Sequence, residues 1–484
     1  MKAKLYIRDE VNVKIEGLDL TTRKKLVDKF KFEIPGARYQ PSVRLGRWDG
    51  KVAFFQLGGS TYINLLPTIL PMLEEFGYDI DVQDDRDYRT NFEFEQATEE
   101  TFSHISWPKG HPKVGDPIML RDYQVDIINN FLSNPQSIQE VATGAGKTIM
   151  TAALSSAVEP FGRSIVIVPN KSLVTQTEED YRNLGLDVGL FFGDRKEFGH
   201  THTICTWQSL NVLLKNTKNA VADITIGEFL EGVVCVIVDE VHMAKADALK
   251  TLLTGVMAQV PIRWGLTGTI PKEDFERYSL FCSLGEVVGQ LSASELQESG
   301  HLANCHVNII QMIDYVEYSN YQSELKYLVE TPERLQYLAS LISTINETGN
   351  TLILVDRIST GQALQSLVKD SVFVSGSTKA KDRKEEYDEV AFADGKIIVA
   401  TYGVAAVGIN IPRIFNLVLM EPGKSFVRVI QSIGRGIRKA EDKDFVQIWD
   451  ITSTCKFSKR HLTKRKQFYR EAKYDFSIEK VEWK

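Results

Sequence analysis

Cysteine is scarce in this sequence, and the spacing of the cysteines predicts neither a disulfide framework nor a zinc site. Five cysteines are scattered through 484 residues, and no two of them form a CxxC pair. An odd, unpaired set argues against a disulfide framework and against a structural zinc site. We therefore interpret all five as small core-filling residues in a reducing compartment: Cys205, Cys235, Cys282, Cys305 and Cys455.

Long apolar runs are also missing. The longest apolar clusters, Val233–Val238 and Ile397–Ala400, have the length of buried strands and not of membrane-spanning helices. The opening stretch Met1–Arg8 alternates charged and apolar residues, unlike a signal segment. Hydrophobic residues make up 43% and charged residues 25% of the chain, which is ordinary for globular protein. We expect a soluble chain of roughly three domains.

The chain has no overall excess of positive charge, since its formal net charge is −7. The charge is unevenly spread, however. Residues 21–51 hold nine Lys/Arg and three Asp/Glu, and residues 455–484 hold ten and four, whereas residues 79–100 hold two Arg and nine acids. Local basic surface decides whether a protein attracts phosphate. For each basic patch, phosphate binding and an ordinary solvated helix face stay open as interpretations.

The periodicity of the sequence changes along the chain. Apolar residues alternate from Leu5 to Ile15, which predicts two short strands, and residues 108–117 are rich in proline and glycine, as linkers are. From Leu120 onward helical patterns alternate with β-branched strands, which indicates two successive parallel sheets with crossover helices. The predicted division is a small α+β domain at 1–88, an acidic linker at 89–116, α/β lobes at 117–290 and 291–452, and a basic helical tail at 453–484.

The segment VATGAGKT, Val141–Thr148, has the pattern of a nucleotide phosphate-binding loop. Glycines let backbone N–H groups close around a phosphate, Lys147 neutralises its charge, and Thr148 can ligate magnesium. The strict pattern has glycine where this chain has Val141, so the match alone does not decide the matter. The candidate nucleotide-binding residues of this loop are Thr143, Gly144, Ala145, Gly146, Lys147 and Thr148.

Two acids follow a predicted buried strand. Val236–Val238 is apolar, and Asp239 and Glu240 come directly after it. Ligand chemistry gathers at the carboxyl ends of parallel strands. Asp239 would hold magnesium and Glu240 would orient and activate the attacking water. A strand that ends in a solvated acidic turn is the simpler alternative, but a phosphate loop upstream makes that alternative improbable.

The order of the motifs resembles that of superfamily-two helicases over residues 117–450. The stretches that carry the resemblance are LRDYQ at 120–124, IVPNKSL at 167–173, TWQSL at 206–210, DEVH at 239–242, LTGT at 266–269, VAT through GINIP at 399–412, and QSIGRGIR at 431–438. The resemblance implies two tandem RecA-like lobes, the first of which binds ATP with Mg²⁺. It also implies that the nucleic-acid strand crosses both lobes.

The resemblance assigns roles residue by residue. It places Arg121, Tyr123 and Gln124 at the adenine, Gly408 and Asn410 at the ribose or the coupling network, and Gln431, Arg435 and Arg438 at the γ-phosphate, where arginines stabilise charge during transfer. It places on the nucleic-acid backbone Pro169, Asn170, Lys171, Thr206, Gln208, Ser375, Gly376 and Thr401.

Several positions depart from the family pattern or leave alternatives open. Asn410 stands where many members have aspartate, and residues 401–407 contain no arginine, unlike the motif of RNA-clamping DEAD-box proteins. Arg44, Arg47 and Trp48 suit contact with branched or duplex DNA, but a structural turn with a buried Trp48 fits equally well. Trp207 is expected in the core. For the basic run at 464–466, a solvated helix face is as good an interpretation as phosphate binding.

The resemblance extends to the bacteriophage recombination helicases, which have a small basic N-terminal unit and a short tail. It implies ATP-driven unwinding or branch migration of Holliday junctions, stalled forks and R-loops, in recombination, repair and recombination-dependent replication. The expected partners are branched DNA and RNA–DNA hybrids, with single-stranded-DNA-binding or recombination proteins as further candidates and no membrane. We expect a monomer in the cytoplasm, that of the host cell if a phage encodes it. The alternatives are a double-stranded DNA translocase of a restriction or remodelling complex and a nucleotide-gated binding module.

Overall fold

The computed structural model describes residues 1–86, 92–109, 111, 113–243, 246–376, 378, 387, 389–390, 392–404, 413–423 and 442–484. Contacts between residues divide the chain into two compact units. The first unit comprises Met1–Val141 and Gly146–Gln290, and the second comprises Ala142–Ala145 and Leu291–Lys484. Among the helices of the described ranges, none has both the length and the apolarity that a bilayer crossing requires.

The N-terminal domain is a small α+β fold, as predicted. Its elements are β1 (Lys2–Ile7), β2 (Asn12–Glu16), α1 (Leu20–Lys29), β3 (Lys31–Glu33), α2 (Pro41–Arg44), β4 (Lys51–Ala53), β5 (Ser60–Tyr62), α3 (Leu66–Glu75) and β6 (Asp79–Asp84). One sheet has the order β5-β2-β1-β6, and β3 pairs with β4 in a second sheet. In β1, Ala3, Leu5 and Ile7 are buried, so the period-two alternation marks the core face of the sheet.

The first lobe is built on a mainly parallel sheet. Its elements are α4 (Asp122–Ser133), β7 (Gln136–Val141), α5 (Lys147–Val158), β8 (Arg163–Val168), α6 (Lys171–Asn183), β9 (Val188–Phe192), β10 (Arg195–Lys196), β11 (His202–Thr206), α7 (Trp207–Lys218), α8 (Ile226–Phe229), β12 (Val233–Asp239), α9 (Ala246–Thr254), β13 (Ile262–Thr267), α10 (Asp274–Leu284) and β14 (Glu286–Leu291). The strand order is β10-β9-β11-β8-β12-β13-β7-β14. The central strands are almost entirely buried because helices cover both faces of a parallel sheet.

The described part of the predicted linker lies against this lobe. The rings of Phe92 and Phe94 each pack 5.4 Å from the ring of Phe161, and Phe94 also lies 6.1 Å from Trp264. These aromatic residues attach the acidic segment to the first lobe. The packing of the segment depends on its aromatic residues, and the charge pattern that marked the segment as a linker does not reveal it.

The second lobe has an all-parallel core sheet. Its elements are α11 (Ala293–Glu298), β15 (Asn304–Met312), α12 (Tyr321–Glu330), α13 (Pro332–Asn346), β16 (Thr351–Val355), α14 (Ile358–Leu367), β17 (Ser371–Val374), β18 (Ile397–Thr401), β19 (Asn416–Met420), β20 (Phe445–Ser453), α15 (Lys456–Glu471) and β21 (Asp475–Val481). The strand order is β17-β18-β16-β19-β20-β15-β21, and all pairings between these described strands are parallel. The predicted α/β class with two tandem lobes is therefore confirmed.

The segment predicted as a basic tail, 453–484, is part of the second lobe. Its helix, α15, packs on the sheet, and β21 adds a strand beside β15. Arg465 lies on the inner face of α15 and is 2% exposed, and its Nε donates to Oδ2 of Asp450 at 2.8 Å. The sequence alone predicted a separate tail and did not reveal this packing. Arg465 shares a helix face with Leu462 and Tyr469, so the buried face of α15 carries a charge and does not have a purely apolar pattern.

Candidate active site and nucleic-acid surface

The candidate phosphate loop joins the end of β7 to the first turn of α5. Val141 closes β7 and is fully buried, so this position serves packing. Gly144 and Gly146 have φ angles of 93° and 82°, a region that residues with a β-carbon adopt only at a cost. α5 begins at Lys147, and its first turn offers free N–H groups and the positive end of the helix dipole. The departure at Val141 leaves these features of the loop in place.

Lys147 and Glu240 form a buried ion pair. Nζ of Lys147 lies 2.8 Å from Oε1 of Glu240, and the two side chains are 9% and 6% exposed. Nζ also donates to the carbonyl of Val141 at 3.4 Å. The lysine is thus held at the carboxyl ends of β7 and β12, the edge of a parallel sheet where ligands bind.

The two predicted acids stand at the end of β12. Asp239 is the last residue of the strand, and its Oδ1 accepts a hydrogen bond from the N–H of Glu240 at 2.9 Å. Glu240 has a φ angle of 50°, which is uncommon for a residue with a long side chain. Such a backbone persists only where surrounding contacts hold it, and these positions concentrate at functional sites.

A histidine links these acids to the LTGT motif. Nδ1 of His242 lies 2.5 Å from Oγ1 of Thr267 and 3.6 Å from Oε2 of Glu240. The N–H of Gly268 donates to the same Oε2 at 3.4 Å. Burial lowers the pKa of His242; the charge of Glu240 opposes this shift and that of Lys147 adds to it. A neutral imidazole therefore joins the two motifs near neutral pH.

The predicted adenine-binding segment lies beside the phosphate loop. Oε1 of Gln124 accepts a hydrogen bond from the N–H of Arg121 at 2.9 Å. A β-carbon added to Gly146 would lie 2.6 Å from Nε2 of Gln124, so the amide packs directly on that glycine. Arg121 donates from Nη1 to the hydroxyl of Tyr123 at 2.9 Å, and burial raises the pKa of Tyr123. The structure brings Gln124 to the loop and pairs the other two residues with each other.

The residues at this site fit a nucleotide and its metal ion. Oγ1 of Thr143 is buried without a hydrogen-bond partner in the described structure, which leaves a polar group for a ligand to satisfy. No cluster of three or more His, Cys, Asp or Glu residues within the described ranges could hold a metal by itself. Mg²⁺ usually takes one or two protein oxygens together with phosphate oxygens. Thr148 and Asp239 supply oxygens of this kind.

The predicted nucleic-acid residues of the first lobe meet at one edge of its sheet. β8 is followed by Pro169, Asn170 and Lys171. The adjacent parallel strand, β11, ends at Thr206 and is followed by Gln208. Asn170 caps α6 by accepting from the N–H of Leu173 at 3.2 Å, and Thr206 caps α7 in the same way. Gln208 is exposed. The two side-chain caps already have a structural role, so the helix N–H groups beside them remain the candidate phosphate donors.

The second lobe brings its described candidates together in the same manner. Ser375 and Gly376 follow β17, and Thr401 ends β18, its parallel neighbour. Ser375 is buried and its N–H donates to Oγ1 of Thr378 at 3.1 Å, while Gly376 is exposed. The predicted residues that lie outside the described part of the chain are Gly408, Asn410, Gln431, Arg435 and Arg438.

The basic loop of the N-terminal domain is on the surface. Arg44 and Arg47 are exposed, whereas Trp48 is half-buried and donates from Nε1 to the carbonyl of Lys51 at 3.0 Å. Trp48 therefore serves as a structural side chain of the turn, and the two arginines remain available. Trp207 packs against the core of the first lobe, as expected.

Sequence reasoning missed the side chains that join the N-terminal domain to the first lobe. The ring of Phe32 stacks 4.4 Å from that of Tyr278 in α10, and Nζ of Lys250 in α9 lies 4.5 Å from the ring centre of Phe54. Burial lowers the pKa of Lys250. The aromatic residues at 275, 278 and 281 recur at helical spacing, which was the available signal of an apolar face on α10.

Comparison with known proteins identifies three family models in chain order. The model described as DNA helicase UvsW, N-terminal, matches residues 2–83. The model described as type III restriction enzyme, res subunit, matches residues 117–272. The helicase conserved C-terminal domain matches residues 333–440. The matches together reach all three folded parts of the chain.

Individual relatives agree with these models. The ATP-dependent DNA helicase uvsW of Enterobacteria phage T4 is 24% identical over 493 residues, covering 97% of this chain and 94% of that protein. A putative DNA 3'-5' helicase Rad25 of Haloarcula marismortui is 25% identical and covers 68% of this chain and 52% of that protein. A fragment of a putative HsdR subunit of a type I restriction enzyme from Vibrio vulnificus has a TM-score of 0.57 at 16% identity, covering 75% of this chain and 69% of that one, which shows a shared fold. By its motifs, its two lobes and these matches, the chain belongs to the superfamily-two helicases and is an ATP-dependent DNA helicase.

Proposed function

We propose that this helicase uses ATP hydrolysis to unwind or branch-migrate branched DNA, including Holliday junctions, stalled forks and R-loops. Its roles would lie in recombination, repair and recombination-dependent replication. The observation that carries the proposal is the exposed basic loop with Arg44 and Arg47, on a domain that belongs to the same compact unit as the ATP-binding lobe. The match of that domain to the UvsW N-terminal model supports it.

Several contacts make the N-terminal domain and the first lobe one body. The N–H of Glu10 donates to the carbonyl of Ala258 at 3.1 Å, and Nδ2 of Asn64 donates to the carbonyl of Phe281 at 2.9 Å. The aromatic contacts to α10 add a shared apolar core. Because both parts belong to one compact unit, duplex held by the basic loop would keep a fixed position relative to the motor lobe.

Hydrolysis would depend on the ion pair at the phosphate loop. A phosphate that binds Lys147 competes with Glu240 for the ammonium, so nucleotide binding would free the carboxylate to accept a proton from water. Gly268 and His242 hold the second oxygen of Glu240 in place. Thr148 and Asp239 would hold Mg²⁺, which neutralises phosphate charge when bound. Arg435 and Arg438 remain the predicted arginines for the γ-phosphate.

The nucleic-acid strand would follow the carboxyl edges of the two sheets. In each lobe the candidate residues end or follow adjacent parallel strands. Backbone N–H groups, hydroxyls and Lys171 bind phosphates and not base edges, so they fix the register of the strand without reading its sequence. We therefore expect the affinity for nucleic acid to depend strongly on salt and little on sequence.

Further partners would be RNA–DNA hybrids and single-stranded-DNA-binding or recombination proteins, and the helicase would act as a monomer in the cytoplasm.

A double-stranded DNA translocase of a restriction or remodelling complex is the second candidate. The match of residues 117–272 to the restriction res subunit favours it. Such a motor hydrolyses ATP on DNA without separating strands, so the two candidates differ in one measurable property.

The test compares wild type with Glu240→Gln, using the full chain. ATP hydrolysis is measured without DNA, with linear duplex and with a fork, and strand separation is measured on a fork and an R-loop. We expect branched DNA to stimulate hydrolysis and both substrates to be separated, with both activities lost in Glu240→Gln. Stimulation by linear duplex without strand separation would establish the translocase instead.

A further inference from the structure

The second lobe has a groove that none of the helicase motifs explains. The groove has a volume of about 680 Å³ and lies between the loop after β15 and the first turns of α15. Tyr315 and Glu317 line it from the loop side. The residues that line it from α15 are Lys456, Lys459, Arg460 and Thr463.

The wall formed by α15 is a basic stripe. Its four lining residues have the spacing i, i+3, i+4 and i+7, so they share one helix face. Lys456, Lys459 and Arg460 are exposed, and none of the three forms an ion pair with another residue that the structure describes. Phe457 lies beneath two of these charges, with Nζ of Lys456 5.8 Å and Cζ of Arg460 6.0 Å from its ring centre. The stripe therefore presents unneutralised positive charge to the groove.

The opposite wall presents an aromatic ring. Tyr315 is 84% exposed, an unusual state for a tyrosine next to a sheet. Asp314 is buried, and its charge is paired inside the lobe with Arg334, whose Nε lies 3.5 Å from Oδ2 of Asp314. Its carboxylate also accepts from Oγ of Ser453 at 2.6 Å and from Nε1 of Trp483 at 3.0 Å. Glu317 is the exposed acid of the lining and leaves a net positive charge.

The basic stripe is fixed in position. The carboxylate of Glu324 accepts the N–H groups of Phe457 and Ser458 at 3.0 and 2.7 Å, which satisfies the first turn of α15. Two turns later, Arg465 forms a bidentate pair with Asp450 at 2.8 and 2.9 Å. These buried contacts anchor α15 from its other face, so substitutions on the exposed stripe should leave the fold intact.

The groove continues the edge where the second lobe has its predicted nucleic-acid residues. β18 ends at Thr401, and the sheet order places β20 three strands further along. Three strand spacings are roughly 14 Å. Since all these strands are parallel, their carboxyl ends lie at one edge of the sheet. The groove and Thr401 therefore lie at the same edge.

We propose that this groove binds a single strand of nucleic acid, with Tyr315 stacked on a base and with Lys459 and Arg460 on its phosphates. This inference rests on the proposed function. A groove that combines positive charge with an exposed aromatic ring is the general arrangement for sequence-tolerant binding of single strands. An acidic peptide would use the cations but leave the ring of Tyr315 in water, so the nucleic acid accounts for more of the lining.

The test measures binding of a fluorescein-labelled oligo(dT) to the full chain by anisotropy, over a range of salt concentrations. In Lys459→Gln/Arg460→Gln, the slope of log affinity against log salt should decrease by about 1.4, for two lost phosphate contacts. Tyr315→Ala should weaken binding on the order of tenfold, and Tyr315→Phe should retain it, because stacking needs the ring alone. A matched control, Lys369→Gln/Lys473→Gln, removes two exposed charges before β17 and β21, at the amino ends of the strands.

Equal salt slopes for the groove variant and the control variant would overturn the inference, as would full binding by Tyr315→Ala. ATP hydrolysis by wild type with and without DNA is measured on the same preparations. If DNA stimulates wild type but the groove variants bind like the control, the groove assignment fails and the proposed function stands. If DNA does not stimulate wild type, the proposed function fails, and the groove is judged by the binding titration.

Discussion

The ammonium of Lys147 and the carboxylate of Glu240 lie 2.8 Å apart, so the residue that is expected to bind phosphate and the residue that is expected to activate water neutralise each other. The two residues come from the start of α5 and from the turn after β12. Because they share one ion pair but have different chemical roles, substitution of each should produce a different defect.

Lys147→Ala should abolish ATP binding, whereas Glu240→Gln should retain or tighten it. The glutamine amide is neutral, so it no longer holds Lys147 away from phosphate, yet it cannot accept a proton from water. Hydrolysis in Glu240→Gln should decrease about 10²- to 10⁴-fold, the usual contribution of a general base. Titration with a fluorescent ATP analogue and a phosphate-release assay separate the two defects. Unchanged turnover in Glu240→Gln would remove the general-base role.

Gly146→Ala should strongly reduce nucleotide affinity. A β-carbon there would lie 2.6 Å from Nε2 of Gln124, and the φ angle of 82° disfavours alanine. Gly185→Ala is a matched control, because Gly185 has a φ angle of 74° but open space around an added β-carbon. Calorimetric titration with ATP should show a loss only for Gly146→Ala. An equal loss in both variants would assign the effect to backbone strain.

Much of the fold was predictable because buried parallel strands have a simple sequence pattern. β16, Thr351–Val355, is one of the strands that this pattern predicts, since it is a continuous run of buried residues. β21 was not predicted. Its sequence, DFSIEKV, carries three charges and its residues are mostly exposed, because it is the edge strand of its sheet. An edge strand lacks the apolar run that marks a central one.

The candidate site was predictable in its residue types but not in its contacts. The motifs located Lys147, Asp239 and Glu240, yet no pattern reveals the Lys147–Glu240 ion pair or the positive φ angle of Glu240. Asn170 and Thr206 were predicted to bind phosphate, and the structure gives their side chains a capping role. Serine, threonine and asparagine suit both roles, so the sequence cannot separate them.

Arg44→Ala/Arg47→Ala should weaken binding to a labelled fork at moderate salt and leave hydrolysis without DNA unchanged. Each arginine–phosphate contact on duplex contributes about 0.9 to the slope of log affinity against log salt, so the slope should decrease by about 1.8. Lys24→Ala/Lys29→Ala is the control, because it removes two exposed charges from α1 of the same domain. Equal losses in both variants would show that general charge, and not the loop, attracts DNA.

Phe275→Ala should destabilise the N-terminal domain together with the first lobe. The ring of Phe275 is 3% exposed and lies 6.0 Å from the ring of Phe54. Removing a buried phenylalanine ring costs about 3–5 kcal/mol. Thermal denaturation followed by circular dichroism should show a lower midpoint than in Phe392→Ala, which removes a ring that is 75% exposed. Equal midpoints would mean that Phe275 contributes little to joining the two parts.

Glu421→Gln should flatten the dependence of stability on pH. Glu421 is buried after β19, where Oγ of Ser458 donates to its Oε2 at 2.9 Å and Arg334 lies 3.4 Å from its Oε1. Burial raises the pKa of Glu421 from 4.5 to about 7, although Arg334 and Arg465 oppose the shift. The folded protein therefore binds this proton more tightly than the unfolded chain does. The resulting stability is present below pH 4.5 and is lost as the pH rises through about 7.

Glutamine carries no titrating proton but keeps an oxygen for Ser458 and Arg334, so the variant should lose only this contribution to the pH dependence. Urea denaturation at about pH 5 and about pH 8 measures it as the difference between the two free energies of unfolding. Glu421→Gln should gain stability relative to wild type between the lower and the higher pH. Glu347→Gln, at an exposed glutamate of the same lobe, should follow wild type at both. Parallel behaviour of Glu421→Gln and wild type would mean that Arg334 and Arg465 keep Glu421 ionised throughout, with the charge network outweighing the burial.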